Sequence, residues 1–124
     1  MYAETDFLLA LVKPDDWLGE HAADIYREYG SVLWTSEITL VELLLVAYRE
    51  DRDAERVIAN VRELVEVEGD GNAVLAAASY VEEHGFTPFD ALHLVRSNGD
   101  AIVSSDDAYD DFALRIPLDE GGEE

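Results

Sequence analysis

Carboxylates occur at four places along the chain where they could together bind a metal ion. They are Glu4 or Asp6 near the start, then Glu42, Asp90 and Asp106. Each lies beside a predicted strand or at a helix, and the carboxyl ends of strands in an open parallel sheet are where ligands bind. A ring of carboxylates suits a hard cation, Mg²⁺ or Mn²⁺. Such a site supports hydrolysis of a phosphodiester, because the metal activates a water and stabilises charge on the phosphate.

The first two acids have an ordinary structural explanation as well. Glu4 and Asp6 are two residues apart, so they share one face if the first strand continues to Asp6. Otherwise Asp6 favours the start of the helix predicted over residues 6–12 through the helix dipole, and Glu4 is solvated. The sequence leaves both alternatives open.

Glu42 is the acid that is hardest to explain structurally. It lies in the middle of a helix that Ser36 opens, and residues 38–48 are apolar nearly all round. Such a pattern marks a buried helix, and burying an unpaired carboxylate is costly. We therefore expect Glu42 to have a partner; the alternatives are an exposed edge of the helix or an ion pair with Arg49.

Asp90 follows a helix start signal. Thr87 is a natural N-cap, Pro88 suits the first helical position, and Asp90 comes three residues after the cap. A capping box in its acidic form explains Asp90, and it leaves one carboxylate oxygen free for a ligand. His93, on the same helix, is expected to be a surface or packing residue.

The predicted elements alternate between strand and helix, which favours a parallel sheet covered by helices on both faces. The strands are predicted at residues 2–5, 31–35, 64–67, 101–103 and 114–118. We expect a single three-layer α/β/α domain over residues 1–118 with a short, mostly parallel central sheet. Residues 119–124 are acidic and glycine-rich, and we expect them to be a disordered tail.

The charge of the chain is extreme: 29 acidic residues against 8 basic ones, a net charge of −21. Such a chain repels itself in dilute buffer, whereas at molar salt the Debye length of about 3 Å screens that repulsion. The composition therefore indicates a protein from a salt-loving cell.

Composition also excludes several classes of protein. The absence of cysteine excludes disulfides, Cys-ligated zinc and thiol catalysis. No apolar run is long enough to span a bilayer. The first twelve residues contain Glu4 and Asp6 and lack a basic start, so they do not match a signal peptide, and we expect a cytoplasmic protein.

Taken in series, the four acidic segments resemble the PIN domain family, most closely its small single-domain members, the VapC-type toxins. The resemblance is carried by residues 4–9 (ETDFLL), 36–43 (SEITLVEL), 89–94 (FDALHL) and 102–106 (IVSSD). The segments occur in the order and spacing of the family and cover nearly the whole chain. Together with the acidic composition, the resemblance implies a protein of this type from a halophilic archaeon.

The resemblance implies a Mg²⁺- or Mn²⁺-dependent endoribonuclease, often homodimeric and often silenced by a small antitoxin. It implies that Glu42, Asp90 and Asp106 are metal-site acids and that Thr5 and Ser104 support the site. The family usually has aspartate where this chain has Glu4. Either Glu4, with its longer side chain, substitutes for that aspartate, or Asp6 takes over the role of the aspartate. If neither does, the chain is a degraded module that binds protein or RNA without cleaving.

Two further observations bear on the substrate. A metal-dependent phosphohydrolase of another α/β family is a poorer match, because the chain has no Asp-x-Asp start and no glycine-rich phosphate loop. An RNA substrate must be bound with few basic residues. The arginines available for phosphate contacts are Arg49, Arg52, Arg56, Arg62 and Arg96.

Overall fold

The computed structural model describes residues 1–118, and the predicted tail at 119–124 lies outside the described residues. The helices are α1 (Thr5–Val12), α2 (Gly19–Tyr29), α3 (Glu37–Arg49), α4 (Ala54–Leu64), α5 (Gly71–His84) and α6 (Pro88–Ser97). The strands are β1 (Trp34–Ser36), β2 (Glu66–Glu68), β3 (Ile102–Val103) and β4 (Arg115–Ile116), and 3₁₀ turns occur at Gly30–Val32 and Asp107–Tyr109.

All the strand pairs in the described part of the chain are parallel. Tyr2 forms a single bridge with Trp34, β1 pairs with β2 in the register Trp34 to Glu66, and β3 pairs with β4. The predicted α/β class with a short parallel sheet is therefore confirmed. The strands are two or three residues long and form two separate pairs, β1–β2 and β3–β4.

Several predicted strand boundaries are wrong. The strands expected at 64–67 and 114–118 are Glu66–Glu68 and Arg115–Ile116. The strand expected at 31–35 begins only at Trp34, because residues 30–32 form a 3₁₀ turn in which the Leu33 amide donates to the Gly30 carbonyl at 3.4 Å. The first strand does not reach Thr5, because α1 begins there and the Leu8 amide donates to the Glu4 carbonyl at 3.2 Å.

Helix α3 is the central element of the core. It packs against α1, α4, α5, α6 and β1. Leu40, Leu43 and Leu44 on this helix are all 0% exposed. Full burial of a leucine contributes about 1.5–3 kcal/mol relative to leaving it in water. The contacts of α3 therefore hold α1 and α6, which carry Asp6 and Asp90.

Helix α6, which carries Asp90, is held by ion pairs at its carboxyl end. The Arg96 guanidinium pairs with Glu37 at the start of α3, at 2.6 Å, and with Asp70 before α5, at 3.3 Å. The Asp70 amide also donates to Glu37 Oε2 at 3.2 Å. This exposed network joins α3, α5 and α6 in a fixed arrangement.

The turn between β2 and α5 depends on Gly69. Its φ is +98°, and a Cβ at this position would lie 2.9 Å from the Cβ of Glu37. Gly85, which ends α5, also has a positive φ, of +72°, but a Cβ there would meet nothing within 4 Å. A side chain at Gly85 would therefore meet backbone strain alone. A side chain at Gly69 would meet backbone strain and a steric conflict with Glu37.

We expect Gly69→Ala to destabilise the protein more than Gly85→Ala. A left-handed conformation costs an L residue about 1–2 kcal/mol, and overpacking against Glu37 adds about 1–3 kcal/mol in the Gly69 variant. Urea unfolding in molar KCl measures both changes. Equal losses in the two variants would contradict the close approach of Gly69 to Glu37.

Candidate active site

Glu42 lies on the exposed side of α3, so the expectation that it is buried is wrong. The helix turns Leu43 and Leu44 into the core and leaves Ile38 and Glu42, one turn apart, toward solvent. Its predicted need for a partner is nevertheless met, since Thr5 Oγ1 donates to Glu42 Oε1 at 2.6 Å. Thr5 itself is buried, at 9% exposure, and it comes from the first turn of α1.

A group of hydroxyls lies beside Glu42. The Tyr2 hydroxyl hydrogen-bonds with Ser36 Oγ at 2.8 Å and with Thr39 Oγ1 at 3.2 Å. The hydrogen bond from Ser36, followed by that from Thr39, lowers the pKa of the Tyr2 phenol below its ordinary value, while the negative charge of Glu42 acts in the opposite direction. Tyr2 and Glu42 are therefore close enough to interact electrostatically.

Glu4 and Asp6 do not share a strand face, because α1 begins at Thr5, between them. Both side chains are exposed. Glu4 borders a depression of about 260 Å³ together with Tyr2, whereas Asp6 borders another, of about 140 Å³, together with His21 on α2. Of the two acids, Glu4 therefore shares a depression with Tyr2.

The capping box predicted for Asp90 is also wrong. Thr87 is the N-cap and Pro88 the first residue of α6, as predicted, but the Thr87 side chain makes no capping hydrogen bond. The Asp90 carboxylate instead accepts a hydrogen bond from the Tyr109 hydroxyl, at 3.3 Å between Oη and Oδ1. Asp90 is thus directed toward the segment after β3.

Asp106 begins that segment. Its Oδ1 accepts from the Ala108 amide at 2.9 Å, and its own amide donates to Ser104 Oγ at 3.0 Å. Arg115 on β4 donates to the Ser104 carbonyl at 3.0 Å. Ser104 and Asp106 are therefore held in one tight turn at the end of β3.

Tyr109 is a residue of this site that the sequence analysis missed. It is 3% exposed, and burial together with the charges of Asp90 and Asp106 raises the pKa of its phenol to about 12. A signal for it exists in the sequence: Tyr109 is an aromatic residue in a turn otherwise rich in aspartate. An aromatic side chain in such a setting is expected to turn inward.

The structure brings the candidate residues together as two groups. Thr5 and Glu42 form one, and Asp90, Tyr109 and Asp106 form the other. Within residues 1–118, no three Asp, Glu or His side chains are close enough to hold a metal ion as they stand. The chemistry of the donors, carboxylates and hydroxyls, fits a hard divalent cation.

Five of the eight basic residues form ion pairs away from the candidate acids. Their ion pairs in the described residues are Lys13 with Glu50, Arg27 with Asp24, Arg52 with Glu50, Arg96 with Glu37 and Asp70, and Arg115 with Asp110. None of these involves a candidate metal acid. Arg52 and Arg96 are thus engaged, so only part of the arginine set predicted for phosphate contacts is without an ion pair in residues 1–118.

A comparison with protein-family models decides the class of this site. The model described as PIN domain matches residues 1–114, which include every candidate residue named above. The chain belongs to the PIN domain family. The predicted resemblance is confirmed at the level of the family.

PIN domains are generally nuclease modules that act on nucleic acids and use divalent metals. A search of curated proteins and a search of solved structures give no match to this PIN domain. Within residues 1–118 it has no helix of the length and apolar character that crossing a bilayer requires.

We expect the PIN domain to lose stability as the pH rises from about 10 to about 12, because the fold favours the neutral phenol of Tyr109 while the unfolded chain ionises near 10. Below pH 10 this contribution is constant. The lowered pKa of Tyr2 works in the opposite direction, so the comparison must be with Tyr109→Phe.

Urea unfolding of the wild type and of Tyr109→Phe over this pH range measures the contribution. Above pH 10, the wild type should lose stability relative to Tyr109→Phe. A parallel response of wild type and Tyr109→Phe to pH would contradict the environment assigned to Tyr109.

Proposed function

We propose that this PIN domain is a metal-dependent endoribonuclease. The observation that supports it most strongly is the pairing of the candidate acids. Glu42, Asp90 and Asp106 are held by a threonine hydroxyl, a tyrosine hydroxyl and a backbone amide, all uncharged donors. Uncharged donors orient a carboxylate without neutralising it, so the negative charge remains available to a cation.

The bound ion, Mg²⁺ or Mn²⁺, would activate a water and stabilise charge on the phosphate of the substrate. The residues of the chain that would hold it are Glu42, Asp90 and Asp106. Thr5 orients the first of these and Ser104 fixes the turn that carries the last. The charge of a divalent ion would offset the mutual repulsion of these carboxylates when the two groups bind it together.

Of the two amino-terminal acids, we propose Glu4 as the additional ligand. It borders the same depression as Tyr2, whose phenol interacts with the charge of Glu42. Asp6 borders the depression formed with α2. The longer side chain of glutamate then takes the position where the family usually has aspartate.

The wider role that we propose is that of a VapC-type toxin, active as a homodimer on RNA, silenced by an antitoxin, and working in the cytoplasm of a halophile. The net charge of −21 supports a high-salt setting. High salt weakens the electrostatic part of RNA binding for any protein. At high salt, an enzyme with few free arginines therefore loses less RNA affinity than an enzyme that binds RNA through many basic residues.

The metal site can be tested without knowing the substrate. Calorimetric titration of Mn²⁺ in molar KCl should give one or two saturable sites in the wild type. Glu42→Gln and Asp90→Asn should each weaken binding by at least about 10-fold. Glu28→Gln is the matched control, since Glu28 is exposed on α2 and has no ion pair within the described residues; it should bind like the wild type.

The same titration distinguishes the amino-terminal acids, because Glu4→Gln should weaken binding and Asp6→Asn should not. The wild type should also cleave single-stranded RNA in Mn²⁺, and a chelator should stop cleavage. Weak binding that is equal in all these proteins would contradict the nuclease proposal. It would leave a PIN domain that binds a partner without cleaving.

A further inference from the structure

Tyr109 connects two segments that carry candidate acids. It lies in the turn that begins at Asp106, and its hydroxyl donates to Asp90 on α6, 19 residues earlier in the chain. The Asp90 carboxylate has no other hydrogen-bond partner in residues 1–118. The orientation of the Asp90 carboxylate therefore depends on this one hydroxyl.

The ring of Tyr109 is held firmly enough to orient another side chain. It is 3% exposed and lies 6.2 Å, between ring centroids, from Phe86. Its carbonyl accepts the amides of Phe112 and Ala113, both at 2.9 Å. A ring fixed by packing and by its own backbone presents its hydroxyl at a defined place.

The hydroxyl acts as a donor rather than as a competing ligand. A tyrosine phenol keeps its proton at neutral pH, so the Tyr109 hydroxyl is available as a donor. Its single hydrogen goes to Oδ1 of Asp90, and Oδ2 has no partner among the described residues. One oxygen is thus fixed and the other remains available.

We propose that Tyr109 is a positioning residue for the metal site: its hydroxyl holds Oδ1 of Asp90 so that the carboxylate presents its other oxygen to a divalent cation beside Asp106. This inference rests on the proposed function. A hydrogen bond to a metal-binding carboxylate typically contributes 10- to 100-fold to metal affinity.

A purely structural role is the competing explanation, since a buried phenol needs an acceptor and Asp90 supplies one. Under that explanation the hydroxyl affects stability but not metal affinity. Tyr26→Phe is the matched control, because the Tyr26 hydroxyl donates to the Leu64 carbonyl at 2.6 Å, away from the candidate acids.

The experiment is a titration of Mn²⁺ by calorimetry, in molar KCl, into wild type, Tyr109→Phe, Tyr26→Phe and Asp90→Asn. We expect Tyr109→Phe to bind about 10-fold more weakly than the wild type, and Tyr26→Phe to bind as tightly as the wild type. Binding by Tyr109→Phe as tight as by Tyr26→Phe, with Asp90→Asn impaired, would overturn the role of Tyr109 and leave the metal site intact. No saturable site in the wild type would overturn both proposals.

A second measurement needs no variant. Titration of the wild type with Mg²⁺ should shift the ¹³C resonance of Tyr109 Cζ and that of Asp90 Cγ with the same saturation midpoint. A Cγ resonance that saturates while Cζ of Tyr109 stays unchanged would overturn the inference, whatever the stability of Tyr109→Phe.

Discussion

The repulsion among 29 carboxylates is the constraint that the rest of this structure must satisfy. With 8 basic residues the chain cannot pair most of its acids. It uses the basic side chains as ties between elements, as Arg96 does for α3, α5 and α6. Glu42 and Asp90 accept hydrogen bonds from uncharged donors instead, the hydroxyls of Thr5 and Tyr109.

This distribution links the surface chemistry to the proposed function. A carboxylate paired with arginine is a poor ligand for a cation, whereas one oriented by a hydroxyl keeps its charge and its direction. Glu42 and Asp90 belong to the second kind, and Asp106 is oriented by a backbone amide, which is likewise uncharged. They stand in two groups, around Glu42 and around Tyr109, and a divalent ion would supply the attraction that brings the two groups together.

The sequence predicted the fold class because strand and helix signals alternate along it, and it predicted α6 closely because Thr87 and Pro88 mark its start. It misjudged Glu42, since an apolar helix pattern cannot tell which single position remains at the edge of the core. It missed the bond from Tyr109 to Asp90 because that contact joins residues 19 apart, and capping rules describe only neighbours.

The most direct test of the account is paramagnetic broadening of the NMR signals of the wild type by substoichiometric Mn²⁺ in molar KCl. We expect one bound ion to broaden the signals around Glu42, Asp90 and Asp106 together and to leave those around Glu28 sharp. Broadening spread evenly over the acidic surface, or confined to one of the two groups, would contradict the claim that these acids bind a common metal ion.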